Sequence, residues 1–108
     1  MKIGIVGLGL IGGSLGLSLK NEKLISCVSG TDLNKEHEKQ AMQLGLVHEI
    51  LTLEGMKQKC DMIFLAIPVE GIIKIVKEFE GIGENTTIVD LGSTKQKIIE
   101  AMLYRINF

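Results

Sequence analysis

Lys2-Ile3-Gly4-Ile5-Val6-Gly7-Leu8-Gly9-Leu10-Ile11-Gly12 opens with a short apolar run and passes straight into glycines spaced G-x-G-x-x-G. The run reads as a first strand and the stretch after Gly9 as a first helix, Leu10–Lys20. An acidic residue, Asp32, follows Gly12 by twenty positions, at the end of a second apolar run. Strand, glycine turn, helix, strand and acid together form the dinucleotide-binding fingerprint. Each glycine has its own task in that reading. Gly7 permits the sharp turn, Gly9 the close approach of backbone to a pyrophosphate, and Gly12 tight packing of helix on sheet. The amides of Leu10 and Ile11, at the positive end of the helix, face the phosphates. The competing reading is a glycine turn that packs well and binds nothing.

The rest of the chain repeats the pattern. Ser26–Thr31 reads as strand two, and Lys35–Leu44 as a polar helix ended by Gly45. Leu46–Ile50 holds a short third strand, Leu53–Lys59 a turn or two of helix, and residues 61–66 a buried strand before Pro68. Residues 69–80 and 93–105 read as helices on either side of a strand over 86–91. Alternation of this kind implies right-handed crossovers. The expected fold is therefore α/β, a Rossmann-type doubly wound parallel sheet of about five strands in the order 3-2-1-4-5. The first helix, Leu10–Lys20, is expected to be mostly buried.

Composition agrees. Aliphatic residues dominate, with three Phe, one Tyr and no Trp, which suits a parallel sheet covered on both faces. The net charge of −1, without a basic block, gives no reason to expect nucleic acid. Six glycines within the first twenty residues speak against a signal peptide, and no apolar run reaches the roughly 18 residues of a membrane span. A soluble, cytoplasmic protein is expected. Cys27 and Cys60 lack metal spacing and read as reduced thiols. His37 and His48 read as surface histidines, away from the ligand rim, and no metal site is expected.

Three places on the carboxyl rim of the sheet carry chemistry. Asp32, followed by Leu33, can accept from both hydroxyls of an adenosine ribose, and it repels a 2′-phosphate. No arginine follows, which favours NAD over NADP. Asp32 or Asn34 can equally cap the next helix. Ala66-Ile67-Pro68 lies beyond strand four, where backbone can line the ribose, although Pro68 can also simply start a helix. Ser93, after Asp90-Leu91-Gly92, either caps the last helix with Gln96 or stands near the nicotinamide.

Gly7-Leu8-Gly9-Leu10-Ile11-Gly12-Gly13-Ser14-Leu15, Asp61-Met62-Ile63-Phe64-Leu65-Ala66-Ile67-Pro68-Val69 and Asp90-Leu91-Gly92-Ser93-Thr94-Lys95 together resemble the nucleotide-binding part of prephenate dehydrogenases and their arogenate-using relatives. The resemblance runs over essentially the whole chain. It implies NAD-dependent oxidation and decarboxylation of a cyclohexadienol to 4-hydroxyphenylpyruvate, in tyrosine biosynthesis. It implies a supporting role for the serine matching Ser93. It also places the catalytic histidine, and a helical domain that binds prephenate or arogenate and forms a homodimer, beyond these residues. Residues 1–108 are thus expected to be a dinucleotide-binding domain cut from a longer enzyme and inactive alone, with some self-association through the apolar end at Leu103, Ile106 and Phe108. A two-domain dehydrogenase of the β-hydroxyacid type is an alternative, and a stand-alone nucleotide-sensing module is another.

Overall fold

The computed structural model describes residues 1–67, 78 and 86–91. The elements run β1 (Lys2–Val6), α1 (Leu10–Lys20), β2 (Cys27–Thr31), α2 (Lys35–Gln43), β3 (Glu49–Ile50), α3 (Leu53–Lys59), β4 (Met62–Leu65) and β5 (Thr87–Asp90). The five strands form one sheet in the order β3-β2-β1-β4-β5, every pairing parallel. This is the expected topology. The helices read over 69–80 and 93–105, and the apolar end, lie outside the described residues.

β1 is the middle strand, and its last four residues are all buried. In-register pairing sets Ile5 beside Gly30 on one side and Phe64 on the other. Alternate residues then face two layers. Ile3, Ile5, Val28, Met62 and Phe64 pack with Leu19, Ala41 and Val47 in one cluster. Val6, Ile63 and Leu65 pack with Met56 and Cys60 in the other. Phe64 is fully buried, and emptying a site of this kind to alanine costs about 3–5 kcal/mol.

The caps explain where the helices begin and end. Asn34 accepts from the Glu36 amide at 2.9 Å and starts α2. Thr52 accepts from the Gly55 amide at 3.1 Å and starts α3. α2 closes at Gly45, whose φ of 68° is the left-handed turn expected there, and the Leu46 amide returns to the Ala41 carbonyl at 2.9 Å. Lys20 reaches over from α1 to donate to the Gly45 carbonyl at 2.8 Å. Leu46 is thereby used in the turn, so β3 is shorter than the sequence implies. His48 extends the edge differently: its amide donates to the Val28 carbonyl, and its ring Nδ1 accepts the Val28 amide at 2.9 Å.

α1 departs from its expected burial. Its buried residues are Gly12, Gly13, Gly16 and Leu19, while Leu10 is 88% exposed, Ile11 69% and Leu17 48%. The helix lies against the sheet through glycine, and a Cβ on Gly13 would come within 2.9 Å of Leu46 Cδ1. Seating the backbone this close leaves Leu10 and Leu17 outward, while Leu19 is buried and Leu15 packs on the core.

Candidate functional site

The carboxyl ends of β1, β2 and β4 meet around the glycine turn. Gly7 has φ of 103°, and its amide donates to the Thr31 carbonyl at 2.8 Å. A side chain there would be strained and would strike the Ala66 carbonyl. Leu8 is buried and seals the turn against Gly30, where a Cβ would lie 2.8 Å from Leu8 Cδ2. Gly12 packs on the Gly7 carbonyl and Ala66, leaving no room for a larger residue. Ala66 is fixed in turn by its amide, which donates to the Val6 carbonyl at 2.8 Å. The turn, the start of α1 and the end of β4 are one packed unit.

Gly9 differs from its neighbours. It is the exposed N-cap of α1, with no side chain to accept from the first-turn amides. Nothing lies within 4 Å of where its Cβ would be. Packing therefore does not require glycine at this position. What glycine does is leave a space beside the amides of Leu10 and Ile11, at the positive end of the helix and with no acidic residue in its first turn. The space and the donors fit a diphosphate group.

Asp32 stands beside this space. Its Oδ2 accepts the Leu8 amide at 2.7 Å and its Oδ1 the Asn34 amide at 2.8 Å. Burial by itself would raise its pKa. The amides of Asn34 and Leu8, and then His37, outweigh that and hold the carboxyl below its ordinary value. Since Asn34 does the capping, Asp32 is left to bind the turn.

The surroundings of Asp32 hold two residues that the sequence did not single out for this site. The His37 ring, expected to be away from the rim, lies with Nδ1 3.2 Å from Asp32 Oδ2. The reason is local geometry: His37 is the third residue of a helix that starts right after the acid, so its side chain leans back over the cap. Glu38 is 7% exposed. Its Oε2 accepts the Asp32 amide at 3.2 Å and the Thr31 hydroxyl at 3.3 Å, and its Oε1 pairs with Lys35 at 3.2 Å. Asn34 as a cap, read with the helical spacing of 37 and 38, was the only available signal for either. A cleft of about 420 Å³ between α1 and α2 continues the site, lined by Leu8, Leu10, Ser14, His37, Gln40 and Leu46 among others.

Of the other sequence-derived positions, Leu33 is fully exposed beside Asp32, and Ile67 packs under the sheet with Ile63 and Leu65. Pro68 and Ser93 lie outside the described residues. Cys27 and Cys60 are free thiols at the opposite, amino end of the sheet, and burial foremost pushes Cys60 up to about 11. Among the described residues no group of three or more His, Cys, Asp or Glu side chains is placed to hold a metal, and no helix is long and apolar enough to cross a membrane.

A parallel sheet in this order, with a glycine turn and an open helix start at its centre, defines a nucleotide-binding domain of the Rossmann type. The family model described as the nucleotide-binding domain of prephenate dehydrogenase matches residues 15–107, and the chain belongs to that family. That match begins just past the glycine turn, so it carries the assignment independently of the fingerprint. Among curated relatives, the prephenate dehydrogenase of Bacillus subtilis (strain 168) is 34% identical over 100 residues, 89% of this chain and 27% of the relative. That of Lactococcus lactis subsp. cremoris (strain MG1363) is 34% identical over 101 residues, 92% of this chain and 28% of the relative. Two solved structures are similar. Prephenate dehydrogenase from A. aeolicus, in complex with hydroxyphenyl propionate and NAD+, superposes with a TM-score of 0.74 at 29% identity, over 83% of this chain and 32% of that one. Synechocystis arogenate dehydrogenase gives 0.76 at 28% identity, over 97% and 37%. The chain thus spans between about a quarter and two fifths of the length of these relatives.

Proposed function

We propose that residues 1–108 are the NAD-binding domain of an enzyme that oxidatively decarboxylates prephenate or arogenate. The observation that carries this reading is the vacant side-chain position at Gly9, next to a carboxylate already tied to the same turn. In this reading Gly7 and Gly12 shape the turn, and the amides from Gly9 to Ile11 donate to the diphosphate. Asp32, with Leu33 beside it, accepts from the adenosine ribose. Ala66, Ile67 and Pro68 are assigned to the crevice wall toward the nicotinamide, and Ser93 is assigned a supporting role in the chemistry. The bound coenzyme supplies the hydride acceptor. This domain binds, orients and excludes water.

The proposal extends to the whole protein only through its relatives, which carry far more chain than is matched here. We assign to that additional chain the substrate contacts, the base that takes the hydroxyl proton, and the dimer interface. On the same footing we place the enzyme in the cytoplasm, in tyrosine biosynthesis, without nucleic-acid or membrane partners. NADH fluorescence tests the reading directly. The chain should bind NADH at least about tenfold more tightly than NADPH, since Asp32 opposes a 2′-phosphate. Equal affinities defeat the NAD assignment, and absence of binding defeats the domain assignment. Mixed with prephenate and NAD+, the chain alone should produce no NADH, and robust turnover would refute the division of labour.

A further inference from the structure

The contact between His37 and Asp32 goes beyond ribose recognition. A carboxylate offers about four acceptor positions. The Leu8 and Asn34 amides take two, and both are fixed by the fold. His37 takes a third, from a side chain that is 43% exposed and lines the cleft between α1 and α2. Because an ionised carboxylate only accepts, Nδ1 must carry the hydrogen. In the neutral ring Nε2 is then an acceptor, and on protonation it becomes a donor.

Glu36 and Lys39 are exposed neighbours of His37 on α2. Lys35 is paired with Glu38, which in turn holds the Asp32 amide and the Thr31 hydroxyl. From α1 the cleft receives Leu10, Ser14 and Leu17, none of them ionisable, and Gln40 is its next polar neighbour on α2. Among the described residues, His37 is therefore the one side chain that donates to the Asp32 carboxylate, and an imidazole can gain a second ring proton.

We propose that His37 modulates the discrimination that Asp32 makes against a 2′-phosphate on the coenzyme, making that discrimination pH-dependent. This rests on the coenzyme reading above. With a neutral ring, a 2′-phosphate meets the Asp32 charge and a nitrogen lone pair. With a protonated ring, the Asp32 charge is compensated and the phosphate gains a cationic donor. A 2′-hydroxyl is far less sensitive to that change.

The test is calorimetric titration of the chain with NAD+ and with NADP+ at about pH 5.5 and about pH 8, on either side of the range in which histidine gains charge. It is repeated with His37→Gln, which keeps a polar group and cannot protonate. Protonation of the 2′-phosphate itself affects both proteins alike and cancels. On acidification, the preference for NAD+ should shrink by about fivefold more with His37 present than with His37→Gln, the scale of a partly exposed charged contact. Equal changes in the two proteins overturn the inference and leave the coenzyme reading intact. Failure of the unsubstituted chain to bind either nucleotide removes both. Should the variant fold poorly, the His37 ring resonances of the unsubstituted chain decide the matter. Adenosine 2′,5′-bisphosphate should raise their titration midpoint relative to adenosine 5′-monophosphate, and identical midpoints count against the proposal.

Discussion

α1 and α2 lie on the same face of the sheet, and each follows a strand of the nucleotide crevice, yet they begin in opposite ways. α2 starts on Asn34, whose side chain accepts a first-turn amide, with Glu36 and Glu38 next to the positive end. α1 starts on Gly9, with neither a capping side chain nor an acid. One start is completed within the helix, and the other is left for an outside acceptor. α3 follows α2: Thr52 caps it and Glu54 sits in its first turn. Among the described helices, α2 and α3 supply their own caps, and α1, the helix proposed to receive the diphosphate, does not.

That contrast can be broken by giving α1 the missing cap. Gly9→Asp introduces an acceptor for the first-turn amides into open space. It should lower NADH affinity by more than about tenfold, because a carboxylate then occupies the position proposed for the diphosphate. The urea midpoint should hold or rise, since nothing is displaced. Unchanged affinity would mean that the open start of α1 has no binding role.

Asp32 sharpens the same contrast, since its carboxylate ties β2 to the turn. Asp32→Asn should weaken NADH binding by about tenfold and narrow the preference over NADPH, read by fluorescence titration. It should also alter acid unfolding. Because the folded carboxyl lies below its ordinary value, its contribution is present above the unfolded value and disappears as pH falls through the folded one. The variant should therefore lose less stability than the parent as pH drops through the carboxylate range, followed as urea midpoints. A parallel pH series for the two proteins would contradict this assignment.

The smallest effect belongs to the closed helix on the far face. Thr52→Ala should cost about 1 kcal/mol by urea denaturation and leave the NADH dissociation constant unchanged. A loss of affinity there would mean that caps and binding are coupled through the whole sheet, and the contrast between helix starts would lose its meaning.

Most of the architecture was legible in residue order because it depends on local chemistry. Asn34 and Gly45 bracket α2, and the apolar runs at Ile3–Val6 and Met62–Leu65 alternate with helices in a way that fixes parallel strand order. The glycine turn and Asp32 were legible for the same reason. What was not legible depends on how closely backbones approach. Leu10 and Leu17 of α1 point outward because glycine lets that helix lie flush on the sheet, and periodicity alone cannot reveal this. His37 and Glu38 read as members of a charged helix, yet they converge on the end of β2 because the N-cap of α2, Asn34, stands only two residues after Asp32. The ring of His48 takes the place of a backbone acceptor at the edge of the sheet, which no propensity foretells.

The most direct measurement is a map of amide resonances in a uniformly ¹⁵N-labelled sample as NAD+ is added. The amides of Leu8, Gly9, Leu10 and Ile11 should move first and furthest, followed by those of Asp32 and Leu33, with Thr52 and Gly55 at the start of α3 unmoved. Saturable shifts confined to α3 or to the amino end of the sheet, with the glycine turn silent, would contradict the claim that α1 was left uncapped to receive a diphosphate.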